Sequence, residues 1–242
     1  MLIYGINAVA EAVRSGRVTE VRIAHRDDDR LRRVIAEAAS RGVKVVRVTV
    51  DVLDRHARHG VHQGIVAEIS GMPEASLDEL ADVRDGPPLI LVLDGIEDPQ
   101  NVGAMLRTVD AAGATGVVRQ TRRAAPLDGG AVAKASAGAV HHVPVAAVVN
   151  IARAVEDLKA SGVWTVGLDA EAKTPYYELD LTVPTALVVG AEGHGLRRLV
   201  RERCDFVAAI PMAGHVSSLN VSAAAAIVLF EAVRQRRSRR RP

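Results

Sequence analysis

Aromatic residues are scarce in this chain: Phe, Trp and Tyr make up 2% of its 242 residues. A core must therefore be built from Val, Leu, Ile and Ala. A nucleic-acid surface relying on many stacked rings is disfavoured, because there are few rings to place on it. Cysteine occurs once, as Cys204, so no internal disulfide framework exists and a reducing compartment is expected. No apolar run reaches the length of a membrane span; the longest, over 219–233, is interrupted by Asn220, Ser222 and Glu231. The first residues lack a basic stretch followed by an apolar one. No signal peptide is expected, and the expected location is cytoplasmic.

What remains is an ordinary globular composition, 48% hydrophobic and 25% charged, enough for one or two domains. The net charge of +2 is unevenly spread. Residues 234–242 hold six Arg and no acid, and without them 25 basic residues face 29 acidic ones. The alkaline balance thus belongs to a basic tail. It reads either as a solvated, disordered end or as an arm for RNA phosphates, since clustered Arg releases counterions from a polyanion.

Three stretches of different character follow one another. Residues 1–70 alternate helix and strand patterns: helix at 8–14, strand at 20–24, helix at 29–41, strands at 43–48 and 61–69. Residues 71–88 carry Gly71, Pro73, Gly86, Pro87 and Pro88 among five acids and one Arg, and read as a linker with a helical turn near 77–83. In 89–233, apolar strands are predicted at 89–93, 116–118, 164–168, 185–189 and 206–210. Helices are predicted at 102–112, 151–161, 196–203 and 219–235. Continuous apolar strands imply a parallel sheet covered on both faces, with ligands beyond its carboxyl ends. The distinctive motifs all fall just after strands.

The first is D-x-x-x-D-P-x-N-x-G-x-x-x-R-T from Asp94 to Thr108. Asn101 reads as a helix N-cap. Val102, Leu106, Val109 and Ala112 form the buried stripe, and Gly103, Arg107 and Asp110 share another face. Arg107 is either a surface cation paired with Asp110 or a site residue pointing toward the strand ends. The second motif, Val189-Gly-Ala-Glu-Gly-His-Gly-Leu196, is a glycine loop between strand and helix. Its spacing is G-x-x-G-x-G, not the dinucleotide G-x-G-x-x-G, and it comes late in the chain. Glu192 inside it suits fixing a loop N–H or an Arg better than facing a phosphate. The third motif runs from Ile210 to Ala224, I-P-M-x-G-x-V-x-S-L-N-V-S-x-A. Ser217, Ser218 and Asn220 gather there at the start of a helix whose backbone N–H groups are free to meet a ligand. That helix is apolar nearly all round, which predicts burial on most sides, inside the domain or in a subunit interface.

Weaker candidates flank these. His56, His59 and His62 recur at three-residue spacing, but without thiol or carboxylate ligands nearby they make a poor zinc set, and no metal is expected. Arg119, Arg122 and Arg123 read as a basic loop beside the site, and His141 and His142 as structural residues.

In this order and spacing the three segments resemble the motifs of the SpoU/TrmH family of S-adenosyl-L-methionine-dependent RNA ribose 2′-O-methyltransferases, in the SPOUT superfamily. The resemblance extends to Tyr4-Gly-Ile-Asn-Ala-Val9 and His62-Gln-Gly-Ile65, which look like the family's small substrate-binding domain. Arg123-Ala-Ala-Pro-Leu127 and Ser136-Ala-Gly-Ala139 look like the branch acting on a guanosine of 23S ribosomal RNA. The resemblance implies an α/β fold: a C-terminal parallel sheet threaded as a deep trefoil knot, and an N-terminal ribosomal-protein-like RNA-binding α/β domain. It implies a homodimer whose partners are ribosomal RNA or tRNA. It places Gly190, Ile210 and Leu219 against S-adenosyl-L-methionine, and Asn101, Arg107, Glu192, Ser218 and Asn220 among the catalytic and RNA-positioning residues.

The family's proposed base corresponds to Arg107, although guanidinium stays protonated in water. Either desolvation lowers its pKa, or it stays charged and stabilises a forming alkoxide; the second asks less of its chemistry. Asn101 and Glu192 would orient Arg107, while Ser218 and Asn220 would position the ribose phosphate or order the cofactor loop. The alternatives are a tRNA or resistance-type rRNA methyltransferase, or a non-catalytic RNA-binding protein with a vestigial site.

Overall fold

The computed structural model describes residues 2–14, 16, 18–24, 28–57, 60–69, 74–127 and 130–239. An N-terminal unit is built on strands β1 (Leu2–Tyr4), β2 (Val18–Ile23), β3 (Lys44–Arg47) and β4 (Ile65–Ile69), in the order β1-β4-β2-β3. β4 runs antiparallel to both β1 and β2, while β3 is parallel to β2. Helices α1 (Ile6–Arg14), α2 (Asp29–Ser40) and α3 (Val50–His56) accompany this sheet. α1 and α2 enclose a small aliphatic core around Val9, Val21 and Ile65. The predicted strand at 61–69 starts only at Ile65. Gln63 and Gly64 both have positive φ (55° and 85°) and turn the chain just before it. β1 and α3 were not predicted, being too short to show a period.

The stretch predicted as a linker is mostly part of the larger domain. Residues 71–73 lie outside the described residues. The Ala75 N–H donates to Val145 O (3.1 Å), pinning the chain to the edge of the second sheet. Helix α4 (Leu77–Ala81) then starts on a capping box in which Ser76 and Glu79 satisfy each other's backbone N–H groups, and buries Leu80.

Among the described residues, seven parallel strands form the second sheet in the order β7-β6-β5-β10-β8-β11-β9. They are β5 (Leu89–Asp94), β6 (Gly116–Gln120), β7 (Val145–Val148), β8 (Trp164–Leu168), β9 (Thr174–Pro175), β10 (Thr185–Gly190) and β11 (Phe206–Ala209). One face packs on α5 (Pro99–Ala112) and α9 (Val221–Arg239), the other on α4, α7 (Ile151–Ala160) and α8 (Arg198–Arg203). α6 (Gly130–Ala135) lies on α5. A Cβ on Gly103 would collide with the Ala135 side chain, so this glycine permits the close crossing of the two helices. β10, late in the chain, inserts between β5 and β8, so the ends of β5, β10 and β11 crowd together at one edge.

Within one subunit α9 buries Val221, Ala225, Val228, Leu229 and Ala232 against the core and leaves Ala223, Ile227 and Phe230 as an open stripe, with Phe230 48% exposed. The expectation of a loose basic end needs correction: residues 234–239 are helical, because α9 continues through Arg239. Arg236 donates to the carbonyls of Leu181 (2.9 Å), Pro87 (2.7 Å), Pro88 (3.0 Å) and Val183 (2.7 Å), fastening the helix end under the sheet. Residues 240–242 lie outside the described residues.

Candidate active site

All three motifs reach the carboxyl edge of the second sheet. β5 and β10 are neighbours in register, Asp94 beside Gly190, so the first two motifs leave the sheet side by side. Asp94 is buried and holds the residue that follows the glycine loop: the Arg197 N–H and Nε both donate to it (2.9 and 2.7 Å). The loop is a tight turn. The Gly195 N–H donates to Ala191 O (2.8 Å), and Gly193 and Gly195 take φ of 77° and 62°. A Cβ on Gly190 would run into the Gly195 carbonyl, so the loop folds back over that glycine. The spacing thus reflects chain crossing, not a dinucleotide fingerprint.

Asn101 is not the N-cap of α5. Asp98 fills that role, accepting from the Gln100 and Asn101 N–H groups (3.0 and 3.4 Å), with Pro99 at the first helical position, where its missing N–H costs nothing. The Asn101 side chain, freed from capping, is buried and accepts from Asn220 Nδ2 (2.9 Å). The same Nδ2 donates to Glu192 Oε1 (2.5 Å). Asn220 Oδ1 meanwhile caps α9, accepting from Ser222 N–H (2.9 Å), Ser222 Oγ (2.6 Å) and Ala223 N–H (3.4 Å). One amide therefore ties the three motifs together. The first N–H groups of α9 that the sequence offered to a ligand are spent on Asn220 itself.

Glu192 and Asn101 were expected to orient Arg107; instead both meet Asn220. Arg107 stands exposed on α5, and no hydrogen bond or ion pair to a described residue restrains it, including the expected pair with Asp110. Its cation is open to an incoming anion. Ser218 is exposed and precedes Leu219, itself 37% exposed, while Ile210 is half-buried against the core. Exposed Val216 and Leu219 on a loop facing the strand ends suit a ligand with an apolar ring, and the acidic ribose clamp of a dinucleotide site is not among the matched positions.

The other candidates separate from this cluster. Cys204 donates to Val200 O (3.3 Å), and burial, then the nearby Asp205 carboxylate, push its thiol up to about 12, so it is a packed neutral side chain. His62 accepts from the Gly64 N–H at Nδ1 (3.0 Å) and reaches Asp54 with Nε2 (3.1 Å), an assignment that fixes its tautomer in a turn. His59 lies outside the described residues, and among those described no three His, Cys, Asp or Glu side chains gather as a metal site. His142 reaches across to Glu11 of the N-terminal unit (3.2 Å), and His141 is buried.

The profile of the SpoU rRNA methylase family matches residues 88–230. The chain belongs to that family. Residues 2–75 match the RNA 2′-O ribose methyltransferase substrate-binding domain. The chain is 46% identical to the 23S rRNA (guanosine-2′-O-)-methyltransferase RlmB of Pseudomonas syringae pv. tomato over 246 residues, covering 99% of this chain and 98% of that protein. Among solved structures it is similar to the SpoU methyltransferase AviRb of Streptomyces viridochromogenes in complex with the cofactor AdoMet. The TM-score is 0.81 and the identity 30%, with 98% and 91% of the chains covered. It is also similar to the AdoMet-bound rRNA methyltransferase of Sinorhizobium meliloti, with a TM-score of 0.75 and 26% identity over 96% and 86% of the chains.

Proposed function

We propose that this protein transfers the methyl group of S-adenosyl-L-methionine to the ribose 2′-hydroxyl of a guanosine in 23S-type ribosomal RNA. The observation that carries the reading is the Asn220 bridge, which draws Asn101 and Glu192 to one point at the carboxyl edge of the sheet. The 46% identity to a 23S rRNA guanosine methyltransferase over nearly the whole of both chains supports the substrate.

Gly190, Ile210 and Leu219 would hold the cofactor. The fit lies in the exposed apolar side chains of the third-motif loop and in the glycine turn, which brings backbone rather than side chain to the strand ends. When bound, the cofactor supplies a methyl group already activated on a sulfonium. The protein's share is to align a 2′-oxygen with that methyl and to ease the loss of its proton. Arg107, charged, unrestrained and exposed to solvent, stabilises the negative charge developing on the oxygen, and the hydroxyl proton passes to water. Asn101 and Glu192, fixed by Asn220, shape the wall behind it, and Ser218 donates to the ribose or its phosphate.

The open stripe of α9 with Ile227 and Phe230 supports a homodimer, and the late insertion of β10 between β5 and β8 supports the knotted threading of the family. No described helix is long and apolar enough to cross a membrane; a cytoplasmic location is part of the same proposal, supported by the rRNA substrate of the relatives. The test compares the unmodified protein with Arg107→Ala, using labelled S-adenosyl-L-methionine and unmethylated ribosomal RNA. The unmodified protein should label the RNA. The variant should lose transfer and keep cofactor binding within about twofold, since the residue acts only on the transition state. Unlabelled RNA with the unmodified protein rejects the function. Retained transfer by the variant rejects the role of Arg107.

A further inference from the structure

The cations of the larger domain divide into two sets. On the side of the sheet covered by α7 and α8, Arg153, Lys159, Arg197, Arg198, Arg201 and Arg203 each hold a carboxylate. On α5, α6 and the loop that leaves β6, the pattern is different. Arg107, Arg122, Arg123 and Lys134 are exposed and form no hydrogen bond or ion pair with any described residue. Acids are at hand, since Glu97 and Asp110 are exposed on the same stretch, yet their carboxylates also stay unpaired. Cations left together in this way keep a positive field open to solvent, where it attracts an anionic partner.

Both elements beside α5 are anchored at its first turns. The Ala125 N–H donates to Ile96 O (3.4 Å), and Ala125 and Leu127 are buried in the same core as Val102. Arg123 holds a φ of 52°, a left-handed backbone uncommon for a non-glycine residue. It turns the chain just before that anchor and leaves both arginines outside. α6 is anchored where Ala135 meets Gly103. Lys134 precedes this contact by one residue, and Arg107 follows it along α5 by four, roughly 6 Å of axis. Asn101, two residues before Gly103, points by the helical period to the other side of α5, where it meets Asn220. The cations therefore form a strip of their own, beside the Asn220 bridge and not within it. They are spread over three elements, as suits the successive phosphates of a strand better than one small anion.

We propose that Arg122, Arg123 and Lys134 seat the RNA phosphates on either side of the methylated nucleotide and so set its ribose against Arg107. The inference rests on the methyltransferase reading above. It deepens that reading by assigning the RNA backbone to a strip outside the three motifs. The three cations are positioning residues: they hold the strand and touch no reacting atom.

The triple variant Arg122→Gln, Arg123→Asn, Lys134→Gln tests it on the full-length protein; asparagine tolerates the left-handed backbone at 123. The control, Arg203→Gln with Arg237→Gln, removes exposed cations from the opposite, amino edge of the sheet. Binding of an unmethylated 23S-type ribosomal RNA fragment is followed over a salt series, and KM and kcat are measured at saturating cofactor. In the triple variant the slope of log affinity against log salt should flatten by about 2, at about 0.7 per phosphate of a single strand. KM for the RNA should rise about tenfold or more, with kcat within about threefold. Cofactor affinity and Tm should be unchanged, because the side chains are exposed. The control should keep its slope within about 0.5 and its KM within about twofold. An unchanged slope and KM in the triple variant overturns the proposal. So does a control that loses as much slope per charge, or a fall in kcat with KM intact. If the unmodified protein transfers no methyl, the methyltransferase reading fails, while the salt slopes still decide whether the strip holds RNA.

Discussion

Asn220 spends both ends of its amide. The oxygen closes the first turn of α9, and the nitrogen holds Asn101 and Glu192. The two jobs can be separated. Serine caps a helix about as well as asparagine, whereas alanine costs about 1 kcal/mol at such a position. Asn220→Ser keeps the cap but leaves the buried Asn101 Oδ1 without its donor, so it should lose about 1–3 kcal/mol of stability together with most of its methyl transfer. Asn220→Ala should lose transfer and about 1 kcal/mol more stability than the serine variant, read from denaturant unfolding. Equal activity in Asn220→Ser would mean that the bridge does not matter to the chemistry. The sequence displayed the residues of this cluster but not their pairings. Asn101 looked like a cap because nothing in the chain says that Asp98, one residue before a proline, takes that role first. Arg107 looked oriented by Glu192 because the meeting of Asn220 with both partners spans 119 and 28 residues of sequence.

Among the elements, long apolar strands and amphipathic helices were legible. The cores of β5 and β10 follow from continuous aliphatic runs, and α7 from its period and its Asn150 cap, which accepts from the Arg153 N–H. β7 and α6 were not: four residues of Val and Ala, and one short Ala-rich turn and a half, carry too little pattern. The C-terminal arginines were misread for a different reason. Composition shows charge but not the carbonyls waiting for it, and Arg236 meets four of them near Pro87, Pro88, Leu181 and Val183. Charge-assisted hydrogen bonds of this kind matter to folding more than an exposed arginine does. Arg236→Ala should cost about 2 kcal/mol or more, whereas Arg237→Ala, on the exposed side of the same helix, should stay within about 0.5 kcal/mol. Equal losses in chemical denaturation would show that the helix end is not fastened as described.

At the scale of the molecule, the order β5-β10-β8 is what gathers three distant segments, and it follows from the crossovers rather than from any local pattern. The open stripe of α9 leaves Ile227 37% and Phe230 48% exposed. Placing a charge in its middle with Phe230→Asp should leave the fold intact and shift sedimentation from dimer to monomer. A monomeric unmodified protein would remove the dimer from the account. The N-terminal unit touches the larger one where Glu11 meets His142, beside Gly138. The central claim is that this edge methylates a ribose oxygen of ribosomal RNA. The most direct measurement incubates the unmodified protein with labelled S-adenosyl-L-methionine and either unmethylated 23S-type ribosomal RNA or tRNA, then hydrolyses both RNAs in alkali. The account predicts label in an alkali-resistant dinucleotide with guanosine on its 5′ side, from the ribosomal RNA and not from the tRNA. Label released as an alkali-sensitive base-methylated nucleotide, or found only in tRNA, would contradict it.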